Sequence, residues 1–566
     1  MKRAIIFVLI AAACLGVSWA AYQAATSSPE PAVSRYFPSG ALLYLQAKDF
    51  SSLLSRWDNS DENRHWLKSN NFEVFSRSRL FLRLKDANAE FAKAAGVPAD
   101  ASLLRQVAGK QSALAIFDIG KLEFLYITRL PSASSMQSTL WQTRSKFETR
   151  SAGGVTFFLR RDPESQREVA FAVAGDYLLL ATREDLLAGA LQLMAGGDAH
   201  SVEAEPWWSQ SVAAAGPEGD LRMVLNLEKI VPSPYFRSYW IQQNITDMKQ
   251  YAAAISDLTL SGKEYREERV LLRKGSTTGD TSGGAGPLGV ADIVRLVPSQ
   301  AGVYEAKASP APQDCLALLE TKILAPHLGP GVAEKLAPQV ELATGETGSS
   351  TDLETRIDQP PVKASLAEDS VAGLKDLLAK NPVSAVLQVE STEQDKDGVF
   401  VRMHSAVVLL GQSEWNESAV RAALVDFVRP SLTTSELGVD WQKNGAHFEL
   451  NGLWTLSVAA SGKYLLISDN PALLTGLLGN ANQKTTLKPA VFAAGFDHQK
   501  EKDNFLRLTG LLDKPAGGSG AGSAPNFFSD NIAGLSSTLT GMSSERIVVR
   551  DAGNKVSQTV TYEWTR

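Results

Sequence analysis

Cysteine is nearly absent from this 566-residue sequence, which contains only Cys14 and Cys315. Cys14 lies in an N-terminal apolar run, so the rest of the chain carries one cysteine and cannot form an internal disulfide. An excess of positive charge is also absent, because 62 Asp and Glu residues outnumber 56 Lys and Arg residues. A role in nucleic-acid binding is therefore disfavoured. The apolar content of 44% is typical of a folded chain, and the length predicts at least two domains.

Sequence motifs for catalysis are absent as well. The triplet Ser-Asp-Asn occurs at 468–470 and at 529–531, but neither a Ser-x-x-Lys nucleophile nor a Lys-Thr-Gly strand accompanies it. No two histidines have ligand spacing along a helix, although His404 and His447 fall on predicted strands and can meet across a sheet. We therefore expect no catalytic residues, no metal site and no cofactor. A hydrolase whose nucleophile and base converge from distant positions stays an alternative.

The N-terminus has the pattern of a bacterial export segment. A basic dipeptide precedes an uncharged, mostly apolar run from Ala4 to Tyr22. Residues 1–23 are expected to be a cleaved signal peptide, with Ser18 and Ala20 as its small-residue site, or a retained transmembrane anchor. Lipidation at Cys14 is a third alternative. Positive charge before the run, with none directly after it, predicts that the body is extracytoplasmic, either periplasmic or at the cell surface.

Three stretches of the first half recur in the same order in the second half. Residues Gly175–Leu191 and Gly462–Leu478 are identical at 8 of 17 positions. The other matched stretches are 35–44 with 295–304, which share Arg-x-x-Pro-Ser-x-Ala-x-x-Tyr, and Glu268–Arg273 with Glu545–Arg550. The repeating unit is far longer than a solenoid repeat, so the pattern predicts a duplicated domain.

A glycine-rich stretch separates the two predicted copies. Residues 275–289 contain a single large apolar residue, Leu288, and are expected to form a flexible linker. This places the first domain copy at 33–274 and the second at 290–566.

Strand and helix patterns are mixed within each copy. The sequence over 112–130 and 383–410 predicts β-hairpins, and Tyr177–Thr182 predicts a buried strand followed by a helix. Helices are expected at Phe81–Ala95 and Pro234–Ser256 and should pack on one face of an antiparallel sheet. The expected fold class is α+β, with two tandem copies of an antiparallel-sheet-plus-helices domain after one N-terminal hydrophobic helix.

Two stretches are candidate contact surfaces. Aromatic residues that include Trp66 are interleaved with basic residues that include Arg77 and Arg79, a mixture able to lie on anionic lipid or peptidoglycan. The alternative is a helix with a solvated basic face and an aromatic core face. The second stretch is Trp207–Trp208, since adjacent aromatics cannot both face one core along a strand. Either one is exposed for binding or both close the end of the domain.

The general plan resembles large bacterial envelope protein families of unknown function. The resemblance lies in the export segment, the Pro-Ser-x-Ala-x-x-Tyr strand and the Gly-x-Tyr-Leu-Leu strand with its helix. It implies an exported, anchored protein and provides no catalytic residues. We expect a non-enzymatic binding or scaffolding function with an envelope protein or lipid as partner, and membrane contact if the N-terminal segment is uncleaved. A carrier of lipid or another apolar ligand, and the hydrolase above, are the alternatives.

Overall fold

The structure is a computed structural model. It describes residues 31–60, 63–64, 67, 72, 76–77, 79–197, 200–234, 248–275, 289–327, 368–394, 401–432, 440–485, 487–501 and 542–564. We refer to the described residues up to 275 as the first half and to those from 289 as the second half. The export segment predicted at 1–23 lies outside the described residues. Among the helices in the described ranges, none is long and apolar enough to cross a membrane.

Strands make up most of both halves. The first-half strands are β1 (Leu43–Ala47), β2 (Ser112–Asp118), β3 (Glu123–Arg129), β4 (Glu148–Ala152), β5 (Val155–Arg161), β6 (Glu168–Ala174), β7 (Tyr177–Ala181), β8 (Leu221–Asn226), β9 (Tyr251–Ser261) and β10 (Glu264–Arg273). The second-half strands are β11 (Val303–Ala308), β12 (Val383–Gln394), β13 (Val401–Gly411), β14 (Trp441–Asn444), β15 (His447–Asn451), β16 (Thr455–Ser461), β17 (Tyr464–Ser468), β18 (Phe492–Asp497), β19 (Met542–Asp551) and β20 (Lys555–Trp564).

Helices connect these strands. The first-half helices are α1 (Phe50–Asp58), α2 (Arg79–Ala95), α3 (Ala101–Val107), α4 (Ser132–Gln137), α5 (Thr139–Gln142), α6 (Glu184–Met194), α7 (Pro206–Ala214) and α8 (Leu227–Ile230). The second-half helices are α9 (Gly289–Val294), α10 (Pro312–Leu319), α11 (Glu368–Lys380), α12 (Glu417–Leu432) and α13 (Pro471–Gly479). Short 3₁₀ turns lie at Val33–Tyr36, Arg144–Lys146, Val202–Ala204 and Ala325–His327, and a π turn lies at Glu320–Leu324.

The described strands form one 20-stranded sheet in which every pairing is antiparallel. From one edge to the other, the order is β4, β5, β6, β7, β3, β2, β1, β8, β9, β10, β20, β19, β18, β11, β12, β13, β17, β16, β15 and β14. The halves meet where β10 pairs with β20, from Glu264 opposite Glu563 to Leu272 opposite Lys555. We call this pairing the seam. The architecture is α+β, as the sequence predicts.

The local predictions are confirmed where hairpins and strand–helix units were expected. The stretches 112–130 and 383–410 form β2–β3 and β12–β13. The strands β7 and β17 are followed by α6 and α13. The turn before β7 contains Gly175 at φ +55°, and the turn before β17 contains Gly462 at φ +57°. Glycine suits both turns because other residues adopt this left-handed conformation only with strain.

Two local predictions are wrong. Most of the helix predicted over Pro234–Ser256 falls on 235–247, outside the described residues. Its last part is β-strand from Tyr251, because Ala253, Ile255 and Asp257 alternate inward at strand spacing. The match of Glu268–Arg273 with Glu545–Arg550 also fails as a structural correspondence. The first stretch lies on β10 at the seam and the second on β19, one strand away from it. A short charged motif next to an apolar strand is too common to determine which strand it marks.

Helices cover both faces of the sheet, so the expectation of one covered face is wrong. In β7, Leu179 packs in the core with α6, and the adjacent Leu178 and Leu180 pack in a core with α2 and α3. In the second half, Leu466 packs with α9 and α13, and Leu465 packs with α10, α11 and α12. Both faces are covered because β7 and β17 are continuous apolar runs. A strand that is buried on both faces does not alternate apolar and polar residues.

Cys315 lies fully buried in the second of these second-half cores, on α10. Burial raises the pKa of its thiol to about 11. The thiol is therefore protonated at neutral pH and unreactive, as expected for a core cysteine.

Candidate functional site

The first candidate surface follows β1 and consists of the described residues between 50 and 85, which we call the helical segment. It includes α1 and the first turns of α2. Large apolar side chains are exposed along it, with relative exposures of 49% at Trp57, 54% at Leu67 and 44% at Leu84. Of the residues proposed from sequence, Trp66 lies outside the described residues, Arg77 is exposed and Arg79 is the first residue of α2. Exposed apolar and basic side chains therefore lie on the same stretch of chain.

Helix α1 forms at the surface because its N-terminus is capped. The Asp49 carboxylate accepts a hydrogen bond from the Ser52 backbone N–H at 2.9 Å, and that bond lowers the pKa of Asp49. No side chain of α1 is buried. At its last residue, the Asp58 carboxylate pairs with Arg105 of α3 at 2.8 Å. The helix is thus held at both ends and leaves its apolar side chains incompletely covered.

The second stretch singled out from the sequence, Trp207–Trp208, lies on α7 and not on a strand. Pro206 occupies the first helical turn, where its missing N–H carries no penalty. Trp208 is buried, and its ring meets Tyr44 edge to face at 4.5 Å between centroids. Trp207 is half-buried and packs on Trp208 at 5.9 Å. Trp208 therefore closes the core of the first half, and Trp207 lies over it.

A charged cleft of about 1110 Å³ opens in the first half beside the ends of β3 and β7. Its arginines are paired with carboxylates. Arg167 donates to Glu90 at 2.7 Å, and Arg183 donates to Glu123 at 2.9 Å. The charges of Arg167 and Arg183 are thus compensated by carboxylates within the cleft.

At the corresponding strand ends of the second half lies a histidine–aspartate cluster that the sequence did not reveal. Asp469 follows β17, and its side chain is 1% exposed. One carboxylate oxygen lies 3.2 Å from His327 Nε2, and the other lies 3.8 Å from His404 Nδ1. The opposite ring nitrogen of His404 lies 3.0 Å from a Glu393 oxygen. A buried carboxylate thus lies between two imidazoles, one of which reaches a second carboxylate.

The charges of this cluster are shifted by their neighbours. The Asp469 carboxylate, followed by Glu393, raises the pKa of His404 although burial acts in the opposite direction. Burial acts to raise the pKa of Asp469, but hydrogen bonds from His327, His404 and the Ser405 backbone N–H outweigh it and leave the pKa lowered. The cluster therefore favours an ionised Asp469 beside a protonated His404.

The imidazole of His327 is further held by stacking. Its ring lies on the indole of Trp454, with centroids 4.1 Å apart and an interplanar angle of 8°. His447, considered from sequence as a partner of His404, instead lies 2.9 Å from Glu449 on the same strand. That alternative is therefore wrong, because β15 and β13 are separated in the sheet by β16 and β17. Over the part of the chain that the structure describes, no group of three or more His, Cys, Asp or Glu side chains is arranged to hold a metal ion.

The first half has the same backbone contact with different chemistry. The Phe124 N–H donates to Thr182 Oγ1 at 2.8 Å, as the Ser405 N–H donates to Asp469 Oδ1 at 2.8 Å. Thr182 and Asp469 are aligned in the matched stretches Gly175–Leu191 and Gly462–Leu478. The signal for this site in the sequence is therefore a carboxylate in the second half, at a position where the matched stretch of the first half has a hydroxyl.

No protein-family model and no curated protein sequence matches this chain. Three solved structures, crystal forms I, IV and III of TP0453, are similar to it at 14%, 13% and 13% identity. They cover 45%, 44% and 49% of this chain and 82%, 81% and 90% of their own chains, each with a TM-score of 0.24. A similarity at this level supports no statement about function.

Proposed function

We propose that this chain is a non-enzymatic binding or scaffolding protein of the bacterial cell envelope, located outside the cytoplasm and built from a duplicated domain. The observation that carries the proposal is the strand order of the sheet. Read from each outer edge toward the seam, β4, β5, β6, β7, β3, β2, β1, β8, β9 and β10 correspond in order to β14, β15, β16, β17, β13, β12, β11, β18, β19 and β20. Such a sheet presents related surfaces at two fixed positions.

The seam supports the duplication. Glu264 begins β10 and lies opposite Glu563 near the end of β20, and Leu272 near the end of β10 lies opposite Lys555, which begins β20. Equivalent strands therefore pair through the same edge in opposite directions. This is the arrangement of an isologous interface between two identical subunits.

A close helix contact recurs at matched positions and also supports the duplication. A Cβ atom at Gly189 of α6 would lie 3.0 Å from Pro38 Cγ, and one at Gly476 of α13 would lie 3.0 Å from Pro298 Cβ. Both prolines belong to the matched stretches 35–44 and 295–304. In each half, glycine lets the helix approach the segment that precedes the first strand.

The seam also holds the halves in a fixed arrangement, which suits a scaffold. Val270 of β10 and Val560 of β20 are buried. Arg273 donates to Asp551 at 2.6 Å, and Arg269 donates to Gln558 at 3.2 Å across the seam. Backbone pairing, buried valines and these polar contacts together resist separation of the halves.

Location is tested with a fusion of bacterial alkaline phosphatase after Arg566, since this enzyme needs disulfides that form only outside the cytoplasm. We expect an active fusion. Partner binding is tested by chemical cross-linking in intact cells followed by mass spectrometry of the wild-type chain and of Asp469→Asn. A non-enzymatic scaffold should recover one stoichiometric protein or lipid with both. An inactive fusion, or no stoichiometric partner, would contradict the proposal.

The carrier alternative has less support among the described residues. Two clefts found there, of about 1110 and 710 Å³, are bordered by charged and polar side chains such as Arg183 and Glu123 in the first and Asp292 and Lys463 in the second. An apolar ligand would have to displace water from these groups without replacing its hydrogen bonds.

The hydrolase alternative is favoured by one observation, the Asp469–His327 pair. A carboxylate that orients an imidazole is the arrangement of a general base. Of the two matched positions, only the one in the second half carries the carboxylate, since the first half has Thr182 in place of Asp469. The test is hydrolysis of chromogenic ester, phosphate-ester and glycoside substrates. An activity that Asp469→Asn lowers at least about 100-fold would favour hydrolysis over scaffolding.

A further inference from the structure

Exposed large apolar side chains are concentrated on the helical segment. Trp57, Leu67, Leu82 and Leu84 are all more than two-fifths exposed. The other exposed large apolar side chains of the described residues lie singly on β1, α3, α4, α7, β8, β13 and the turn after β15. A single exposed leucine is ordinary, whereas several on one stretch indicate a contact surface.

Unpaired cations accompany these apolar side chains. Arg56 of α1 and Lys85 of α2 are exposed, and neither has a hydrogen-bond or ion-pair partner among the described residues. The contrast is with Arg83, which donates to the Gly120 carbonyl at 3.1 Å and lies 3.6 Å from Glu90. Free cations on a chain with a net charge of −6 mark a local positive surface.

The segment is also built to present this surface. None of the α1 side chains is buried, and among the described side chains of α2 the buried ones begin at Phe91. Leu82 and Leu84 in the first turns of α2 are exposed and lie outside the core that its last turns join. A helix with exposed apolar residues and flanking Lys or Arg is the form that lies in the interface of a bilayer.

We propose that the helical segment docks on the surface of an anionic lipid bilayer. The apolar side chains enter the headgroup boundary and the cations meet lipid phosphates. A second copy of this chain is a poor occupant, because Arg56 and Lys85 would face identical charges. The inference rests on the proposed function, because the cell envelope is where the chain would meet such a bilayer.

The experiment uses the full chain with Cys14→Ser, because Cys315 is buried and its thiol is protonated. A polarity-sensitive fluorophore is attached at Leu84→Cys or, as the matched control, at Leu453→Cys. Leu453 is 77% exposed and lies in a second-half turn. Each protein is reconstituted in vesicles of phosphatidylethanolamine with phosphatidylglycerol, or of phosphatidylcholine alone. Brominated lipids then report, by quenching, which label enters the bilayer, even if the N-terminal segment already anchors the chain.

We expect blue-shifted, quenched emission at position 84 in anionic vesicles and aqueous emission at position 453. Arg56→Glu with Lys85→Glu should lower the quenched fraction at position 84 at least about tenfold, because each cation near the surface favours binding. Unchanged circular dichroism would confirm that this variant is folded. Aqueous emission at 84, equal quenching at 453, or equal quenching in phosphatidylcholine would each overturn the assignment. A protein partner recovered together with aqueous emission at 84 would leave the proposed function standing and remove only the lipid surface.

Discussion

The two halves share a strand order but differ in chemistry at one matched site. In the first half it lies where β7 ends beside β3, and in the second half where β17 ends beside β13. In both halves the residue that follows β7 or β17 accepts a hydrogen bond of 2.8 Å from a backbone N–H. The acceptor is the hydroxyl of Thr182 in the first half and the carboxylate of Asp469 in the second. The side chains next to this acceptor differ in charge and chemistry between the halves. The first half has Glu123 paired with Arg183, and the second has His404 beside Asp469.

The comparison shows that a fold can retain a backbone hydrogen bond while the charge of the accepting side chain changes. The N–H must be satisfied in either half, because a buried unpaired donor is costly. A hydroxyl satisfies it without charge. A carboxylate satisfies it and also requires compensating partners, which His327 and His404 provide. The second half therefore has a titratable cluster where the first has an ordinary hydrogen bond.

The largest expected effect comes from the seam that joins the halves. Val560→Asp places an unpaired charge between β10 and β19, where Val560 is buried, and should lower the free energy of unfolding by about 4 kcal/mol. Urea unfolding followed by circular dichroism measures it. Ser151→Asp on the exposed edge strand β4 is the control and should cost less than about 0.5 kcal/mol. Equal midpoints for the two variants would contradict a buried seam.

Matched core positions should behave alike. Leu187 of α6 and Leu474 of α13 are aligned in the sequence match and are both fully buried. Leu187→Ala and Leu474→Ala should each lower the free energy of unfolding by about 3 kcal/mol, through lost burial and a residual cavity. Thermal and urea unfolding of both variants test this. A cost confined to one of them would break the equivalence of the halves.

The divergent position should behave differently in the two halves. Asp469→Ala removes a buried partner of two imidazoles and one N–H and should cost about 3 kcal/mol. Thr182→Ala removes one acceptor and should cost about 1 kcal/mol. Unfolding of the two variants, compared under the same buffer, measures the difference. Equal costs would mean that the carboxylate is no more engaged than the hydroxyl.

The smallest expected effect is the pH dependence that the His404–Asp469 cluster of the second half contributes. The pKa of His404 is raised by folding, so its contribution to stability is complete below the unfolded histidine pKa of about 6.5 and is lost as pH rises through the folded pKa. The pKa of Asp469 is lowered, so its contribution is complete above about 3.9 and is lost as pH falls.

Stability from this cluster should therefore be greatest between about pH 4 and 6.5. Unfolding midpoints of wild type and His404→Gln, measured from pH 5 to 8, should converge as the pH rises. Asp469→Asn should weaken the dependence, because the carboxylate is the main cause of the raised His404 pKa. A constant difference between wild type and His404→Gln across this range would contradict the linkage.

The sequence predicted local structure well where short-range patterns control it. The hairpins at 112–130 and 383–410 and the helix at Phe81–Ala95 formed as expected. The helix prediction fails from Tyr251 to Ser256, where small residues at strand spacing belong to β9. The Asp469 cluster was missed because His327, His404 and Asp469 lie far apart in the chain and meet only when β13 pairs with β17.

The sequence by itself determined the alternation of apolar strands with short helices and the repeated stretches, because periodicity and turn residues act over a few residues. The seam, the covering of both sheet faces and the partners of Asp469 were decided only by the tertiary structure. Each of these depends on which distant strand edges find one another, and many edges in this chain are similar enough in sequence that local pattern does not choose between them.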